Sequence, residues 1–269
     1  MHSRTASLCA LCAALLLVGC GGKTVRPAYP AFVQADALPD IFLADLPGVR
    51  AKRFAGDPNT RRSSNRLLLP PDWSFSTGGL PNKSVEIYVL AGSIKLGEFA
   101  LQAGGYAYLP DGSTGVSMST VAGAQVLYFL DDANPAAVIR TPLIASRDLI
   151  PWNPVSNDPD DVGLSIKELR SDPGSGAKTY LLRMEPGATR PWQSLSTLEE
   201  GYLLEGQYTH GECVNGEVAV DTYLPGGYYY RTAGAVNGGP ETAVVTSSVW
   251  YVRLLEPGQR SRASGCSAE

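Results

Sequence analysis

The sequence predicts an all-β chain made of two tandem jelly-roll β-barrels, the product of a duplicated domain. Three observations predict it. Glycine (29) and proline (20) are abundant while helix-type runs are scarce, so the chain reads as strands separated by turns. The second half resolves into short runs (LSIKEL, KTYLLRM, GYLLEG, VAVDTYL, GYYYRT, SVWYVRLL), several with alternating polarity. The chain also matches itself. GVRAKRFAGDPNTRRSSNRLLLPP, Gly48 to Pro71, lies without a gap over GLSIKELRSDPGSGAKTYLLRMEP, Gly163 to Pro186. EIYVLAG (Glu86 to Gly92) then meets EGYLLEG (Glu200 to Gly206), and AGGYAYLPDG (Ala103 to Gly112) meets PGGYYYRTAG (Pro225 to Gly234). One domain copied in tandem accounts for all three matches. Short strands at regular spacing in roughly 110-residue units suit a closed barrel or jelly roll.

The elements follow in order. Residues 1–19 read as an export signal: Arg4 gives a positive start, and the apolar run ALCAALLLV is too short to span a bilayer as a mature helix. LVGC, Leu17 to Cys20, resembles the lipobox of bacterial lipoproteins. That resemblance implies cleavage before Cys20 and a diacylglyceryl thioether on its sulfur, so the lipid bilayer is a partner through acylated Cys20. Gly21 and Gly22 follow where an aspartate is absent, a pattern similar to lipoproteins passed to the outer membrane. The expected location is therefore the bacterial cell envelope, lipid-anchored and facing the periplasm. Residues 20–40, rich in proline and alanine, read as a tether; 41–145 and 146–258 as the two barrels; 259–269 as a tail.

A net charge of −4 without any Lys/Arg run argues against nucleic acid as a partner. Of the five cysteines, Cys9 and Cys12 leave with the signal and Cys20 takes lipid. Cys213, in a glycine-containing hairpin segment (THGECVNGEV), and Cys266, in the polar tail, form an even pair in an oxidising compartment. The exposure of both segments favours a disulfide over two buried free thiols.

The glycine frames of the two copies resemble the cupin family. Its first motif is Gly, five residues, His-x-His, three or four residues, Glu, six residues, Gly. Its second is Gly, five residues, Pro-x-Gly, two residues, His, three residues, Asn. In the second copy Gly187, Glu199 and Gly206 hold the first frame, with Gln193 and Leu195 where the histidines belong. Gly226 and Gly234 hold the second frame, with Thr232 at the proline position and Asn237 at the third histidine. The first copy keeps Gly104, Pro110 and Gly112, has Gly115 at the histidine and Val85 at the glutamate, with Glu86 one residue off. With TRPWQS, EEGYLLEG, GECVNGEV and LPGGYYYR, the whole pattern is similar to the ChrR-like bicupins of unknown function.

That resemblance implies a metal held by three imidazoles and a carboxylate, and the residues refuse it. Beyond the signal the chain has one histidine, His210, so no metal or other cofactor is expected. Gln193, Glu199 and Asn237 would offer two amides and one charge, a set suited at best to a hard, hydrated cation. His210, in a polar turn, reads as solvated. Glu199 and Glu200 are adjacent and point to opposite faces of a strand. If Glu199 is inside, burial raises its pKa; the alternative is a structural ion pair with Arg190 or Arg183. Alternation puts Tyr228 and Tyr230 on one face and Tyr229 on the other.

Trp192, Gln193, Glu199, Tyr230 and Asn237 have the makeup of a small-ligand pocket in the second barrel, whereas the first copy's interior is expected to be apolar. No GxSxG, HExxH, phosphate loop or dinucleotide fingerprint occurs, and no catalytic residue is identified. The function expected is binding of a small molecule or a partner protein without metal. The alternative is a metal-independent cupin-type lyase or isomerase acting on a small organic acid or diketone. A homodimer is left open.

Overall fold

The computed structural model describes residues 29–77, 81–113, 116–156 and 158–266. The signal segment, Cys20 and Gly115 lie outside them. The chain is nearly all strand. The first half contains β1 (Val33–Gln34), β2 (Ile41–Phe42), β3 (Arg50–Gly56), β4 (Ser63–Leu69), β5 (Ser74–Thr77), β6 (Lys83–Leu96), β7 (Phe99–Gln102), β8 (Gly105–Leu109), β9 (Val116–Ser119), β10 (Ala124–Asp132) and β11 (Leu143–Ser146). The second contains β12 (Asn153–Pro154), β13 (Leu164–Ser171), β14 (Lys178–Met184), β15 (Gln193–Leu195), β16 (Glu199–Val214), β17 (Glu217–Tyr223), β18 (Gly227–Arg231), β19 (Ala243–Leu254) and β20 (Arg260–Arg262). No helix among the described residues is long and apolar enough to cross a membrane.

The two large sheets repeat one strand order. The first runs β11-β8-β6-β10-β4-β3-β2 and the second β1-β18-β16-β19-β14-β13-β12. The first-half series 8-6-10-4-3-2 reappears as 18-16-19-14-13-12, antiparallel throughout. One edge strand crosses over. β1, which precedes the first sheet in the chain, pairs with β18 of the second (Val33 opposite Tyr228), and β11 pairs with β8 (Leu143 opposite Tyr108). Part of the segment read as a tether is therefore folded onto the second sheet.

The turn chemistry also repeats. Asp57 accepts from the backbone N–H of Asn59, and Asp172 from those of Gly174 and Ser175, each closing the turn between paired strands. Between β16 and β17 the chain turns at Asn215–Gly216, both at positive φ as a two-residue hairpin loop requires. That turn corrects an expectation. THGEC is not part of the loop but the end of β16, and His210 is buried, 2% exposed, not solvated.

Period-two alternation divides each sheet between two environments. The inner face of the first half (Leu67, Leu69, Ile87, Val89, Leu96, Val126) forms a cluster that is apolar as expected. The second half packs Leu182, Met184, Leu203, Tyr208, Tyr223, Tyr229 and Trp250 in its own interior. A third cluster lies between the sheets, where Phe54, Tyr88, Tyr106 and Phe129 meet Leu181, Tyr202, Tyr228 and Tyr251. Tyr88 and Tyr202, like Tyr106 and Tyr228, are counterparts in the repeat, so the same E-x-Y and Y-x-Y patterns face each other.

At the centre of that contact sits a buried charge network. Arg253 Nε donates to Glu86 Oε2 at 2.7 Å, its Nη1 to Glu200 Oε2 at 2.8 Å, and its Nη2 to Asp131. Arg170 holds the other oxygen of Glu86 at 2.6 Å, and Thr179 and Tyr251 also donate to Glu86. Burial alone would push Glu86 up; the two arginines outweigh it and hold its carboxyl below the usual range. Glu200 is pushed up by burial, against the pull of Arg253.

Candidate functional site

The interior of the second half carries what the first half lacks, a cluster of buried polar and ionisable side chains. Tyr208, His210 and Glu212 alternate along β16 and point inward, and Arg231 meets them from the end of β18. Arg231 Nε donates to Glu212 Oε1 at 2.9 Å and Nη1 to Glu199 Oε2 at 3.2 Å, while its guanidinium lies 3.7 Å from the Tyr229 ring centre. The Tyr29 hydroxyl donates to the second oxygen of Glu212 at 2.8 Å. Glu212 thus has both oxygens engaged, as a fully buried carboxylate requires.

His210 stacks on Tyr208 with ring centroids 5.0 Å apart, and its Nε2 stands 3.2 Å from Asn237 Oδ1. Burial first, then the cations Arg231 and Arg190, hold its pKa well below the ordinary value, so the ring is neutral at physiological pH. With Asn237 Oδ1 as acceptor, Nε2 carries the proton and Nδ1 is a bare lone pair. Nδ1 is buried and has no hydrogen-bond partner.

The structure brings together four of the five residues expected at the site and separates the fifth. Gln193 and Asn237 exchange backbone hydrogen bonds at 2.9 and 2.8 Å, and both are buried. Asn237 is also bridged to Glu212, so one residue links the amide pair to the charged cluster. Glu199 faces inward, paired with Arg231 rather than with Arg190 or Arg183. Those two bind Asp161 and Glu185 instead. Trp192 lies over Gly211 and Gly239; a Cβ on Gly239 would stand 2.3 Å from the indole, and its φ of +87° favours glycine as well.

Tyr230 points to the other face of β18, with Tyr228, and lines a cleft of about 290 Å³ between the two halves beside Glu200, Asp131 and Pro30. It takes no part in the cluster. Cys213 and Cys266 are joined in a disulfide, Cα to Cα 5.3 Å.

A cupin metal does not fit these residues. The positions that would supply ligands hold Gln193, Leu195, Glu199 and Asn237. Glu199 is bound to a guanidinium, and the Asn237 oxygen to His210. Among the described residues no group of three or more His, Cys, Asp or Glu side chains could hold a metal ion. Arg231 supplies the positive charge at this place instead.

Sequence reading missed His210, Glu212 and Arg231. Strand alternation continued through YTHGE puts His210 and Glu212 on the face of Tyr208, but the glycine at 211 reads as part of a turn. The partnership of Arg231 with Glu199, across 32 residues, carries no local signal.

Comparison with solved structures places the chain in the cupin jelly-roll fold. A provisionally assigned dioxygenase from Nostoc punctiforme is similar with a TM-score of 0.67 at 20% identity, covering 82% of this chain and 81% of that one. Protein Ylba from E. coli, of family model DUF861, aligns with a TM-score of 0.65 at 18% identity over 87% and 94% of the two chains. A variant of Bacillus subtilis oxalate decarboxylase aligns with 0.58 at 13% identity over 90% and 81%. At these identities the likeness is one of fold. No match was found among curated proteins. A family model described as domain of unknown function DUF4437 matches residues 46–256, and the chain belongs to that family.

Proposed function

We propose that this protein is an envelope-anchored bicupin lipoprotein that binds a small molecule or a partner protein through its second barrel, without the usual cupin metal. The observation that carries the reading is the neutral, buried His210 with an unpartnered Nδ1, set among Glu212, Arg231 and Asn237. An unpaired buried acceptor costs roughly 1–3 kcal/mol, and a ligand O–H or N–H donor would recover it. The first half has an apolar cluster in the same place, so the expense is confined to one copy, as expected for a site and not for a requirement of the fold.

In this arrangement each residue has a task. Arg231 fixes Glu212 and Glu199 in place, Asn237 selects the His210 tautomer, and Trp192 with Gln193 closes the wall. The second reading, a metal-independent lyase or isomerase, would use the bare Nδ1 as its proton acceptor, a weak one while burial, Arg231 and Arg190 hold the ring's pKa down. Turnover against a panel of small organic acids and diketones separates the two.

The test is to denature protein purified from its own membrane and identify released small molecules by mass spectrometry. One species at near-stoichiometric yield, lost in Asn237→Ala and Gln193→Ala, supports the site. These substitutions should weaken its rebinding by roughly tenfold or more. Equal recovery from wild type and both variants would place the ligand elsewhere. Anchoring is tested separately: Cys20→Ala should leave an unprocessed or mislocalised precursor, and unchanged fractionation would refute lipidation.

A further inference from the structure

The C-terminal tail is built as a strap across the second barrel. Strand β20 pairs antiparallel with β15, Gln193 opposite Arg262 and Leu195 opposite Arg260. The pairing continues on both sides: Ala263 N–H donates to Trp192 C=O at 2.7 Å, and Ser196 N–H donates to Gln259 C=O at 3.0 Å. Gly258 approaches so closely that a Cβ there would stand 2.7 Å from Thr197. The far end is tied by Cys213–Cys266, one residue beyond Glu212 on β16.

Three features distinguish this strap from an ordinary sheet edge. β15 has no place in the large sheet; among the described residues its backbone partners apart from β20 are the Gln193–Asn237 bridge and the Gly234 N–H that donates to Leu195 C=O at 2.8 Å, both from the one segment that follows β18. Its first-half counterpart β5 is instead held by β9, which is in turn paired with β6. All three β20 residues are exposed, so the strap buries little apolar surface of its own. Its ion pairs, Arg260 with Asp161 and Arg262 with Asp160, are partly or largely exposed on the arginine side, and such pairs contribute little. The covalent tie is therefore the strongest thing that holds the strap. Its other contacts fix β15, hence Gln193, hence Asn237 over His210.

We propose that Cys213–Cys266 is a redox latch on the second barrel: a dithiol reductant breaks it, the strap leaves β15, and the packed interior around His210 becomes accessible. The chemistry balances as thiol–disulfide exchange. A thiolate of the reductant attacks one sulfur, the S–S bond breaks through a mixed disulfide, and the reductant's second thiol completes its own disulfide. Two protons and two electrons pass to Cys213 and Cys266. The purpose of the latch rests on the second-barrel reading above, but its action does not, because access to His210 can be read without any ligand.

The chain beyond the signal contains one histidine, which makes the test direct. Diethylpyrocarbonate acylates accessible neutral imidazole, and peptide mass spectrometry reads the rate at His210. In the oxidised protein His210 should be protected. In protein reduced with dithiothreitol and alkylated, and independently in Cys266→Ser, the rate should rise at least tenfold. Amides of residues 193–195 and 260–263 should exchange with deuterium faster, while far-ultraviolet circular dichroism stays unchanged. Equal His210 rates in both forms would overturn the latch. So would modification that appears only together with global unfolding.

Discussion

Arg253→Met isolates the centre of the contact between the two halves. The substitution keeps an unbranched apolar stem and removes the charge, together with the guanidinium whose carbon lies 4.1 Å from the Phe129 ring centre. Glu86 keeps Arg170, but Glu200 loses its guanidinium and keeps the Tyr228 hydroxyl. Asp131 keeps Arg62 at 3.7 Å. Breaking a buried ion pair from one side costs about 3–5 kcal/mol, because the remaining charge is left in a dry site. For a domain of this size about 1 kcal/mol is worth roughly 2–4 °C, so the melting temperature should fall by about 6–20 °C. The two glutamates should not behave alike. Glu86 is held below the usual carboxylate range by two arginines, whereas burial pushes Glu200 up. At neutral pH Glu86→Gln should therefore destabilise more than Glu200→Gln, which still offers Arg253 an acceptor. Urea unfolding followed by tryptophan fluorescence measures all three. A loss below about 1 kcal/mol for Arg253→Met, or the reverse order of the glutamates, would refute the assignment of this network as the junction of the halves.

His210 gives a pH signature. Its folded pKa is depressed, so the unfolded chain takes up a proton that the folded one refuses. Stability from this group is full above the unfolded value near 6.5 and falls as the pH drops below it, with a slope of up to about 1.4 kcal/mol per pH unit. Urea midpoints between pH 5 and 8 should show that decline, and His210→Gln should flatten it; an unchanged slope would mean the ring is not buried neutral. Gly239→Ala should cost about 1–3 kcal/mol, since the new Cβ meets Trp192 and the backbone is left-handed there. Thermal melting checks it, and a variant as stable as the parent would show that Trp192 is not packed as described.

Much of the fold was legible because local chemistry writes it into the chain. Asp57 and Asp172 mark corresponding turns, EIY and EGY mark corresponding strands, and the even cysteine count marked the disulfide. What stayed hidden depends on contacts far apart in sequence. Nothing near Glu199 announces Arg231, and nothing near Glu86 announces Arg253, 167 residues away. Glycine misled at one point. Gly211 reads as a turn residue, yet it sits inside a strand because Trp192 packs against it, and a Cβ there would be 3.1 Å from the indole. The true turn, Asn215–Gly216, lies just beyond. Tyr230 was grouped with the inward residues by its neighbourhood, although alternation with Tyr229 already assigned it to the opposite face.

An arginine-centred polar cluster, not a set of imidazoles, fills the interior of the second half where a cupin would hold its metal. Elemental analysis of untagged protein, purified without chelators and dialysed against metal-free buffer, tests it most directly. Fe, Mn, Ni and Zn should each be far below one equivalent per chain. A stoichiometric transition metal that survives dialysis and is lost in Glu199→Gln would contradict it.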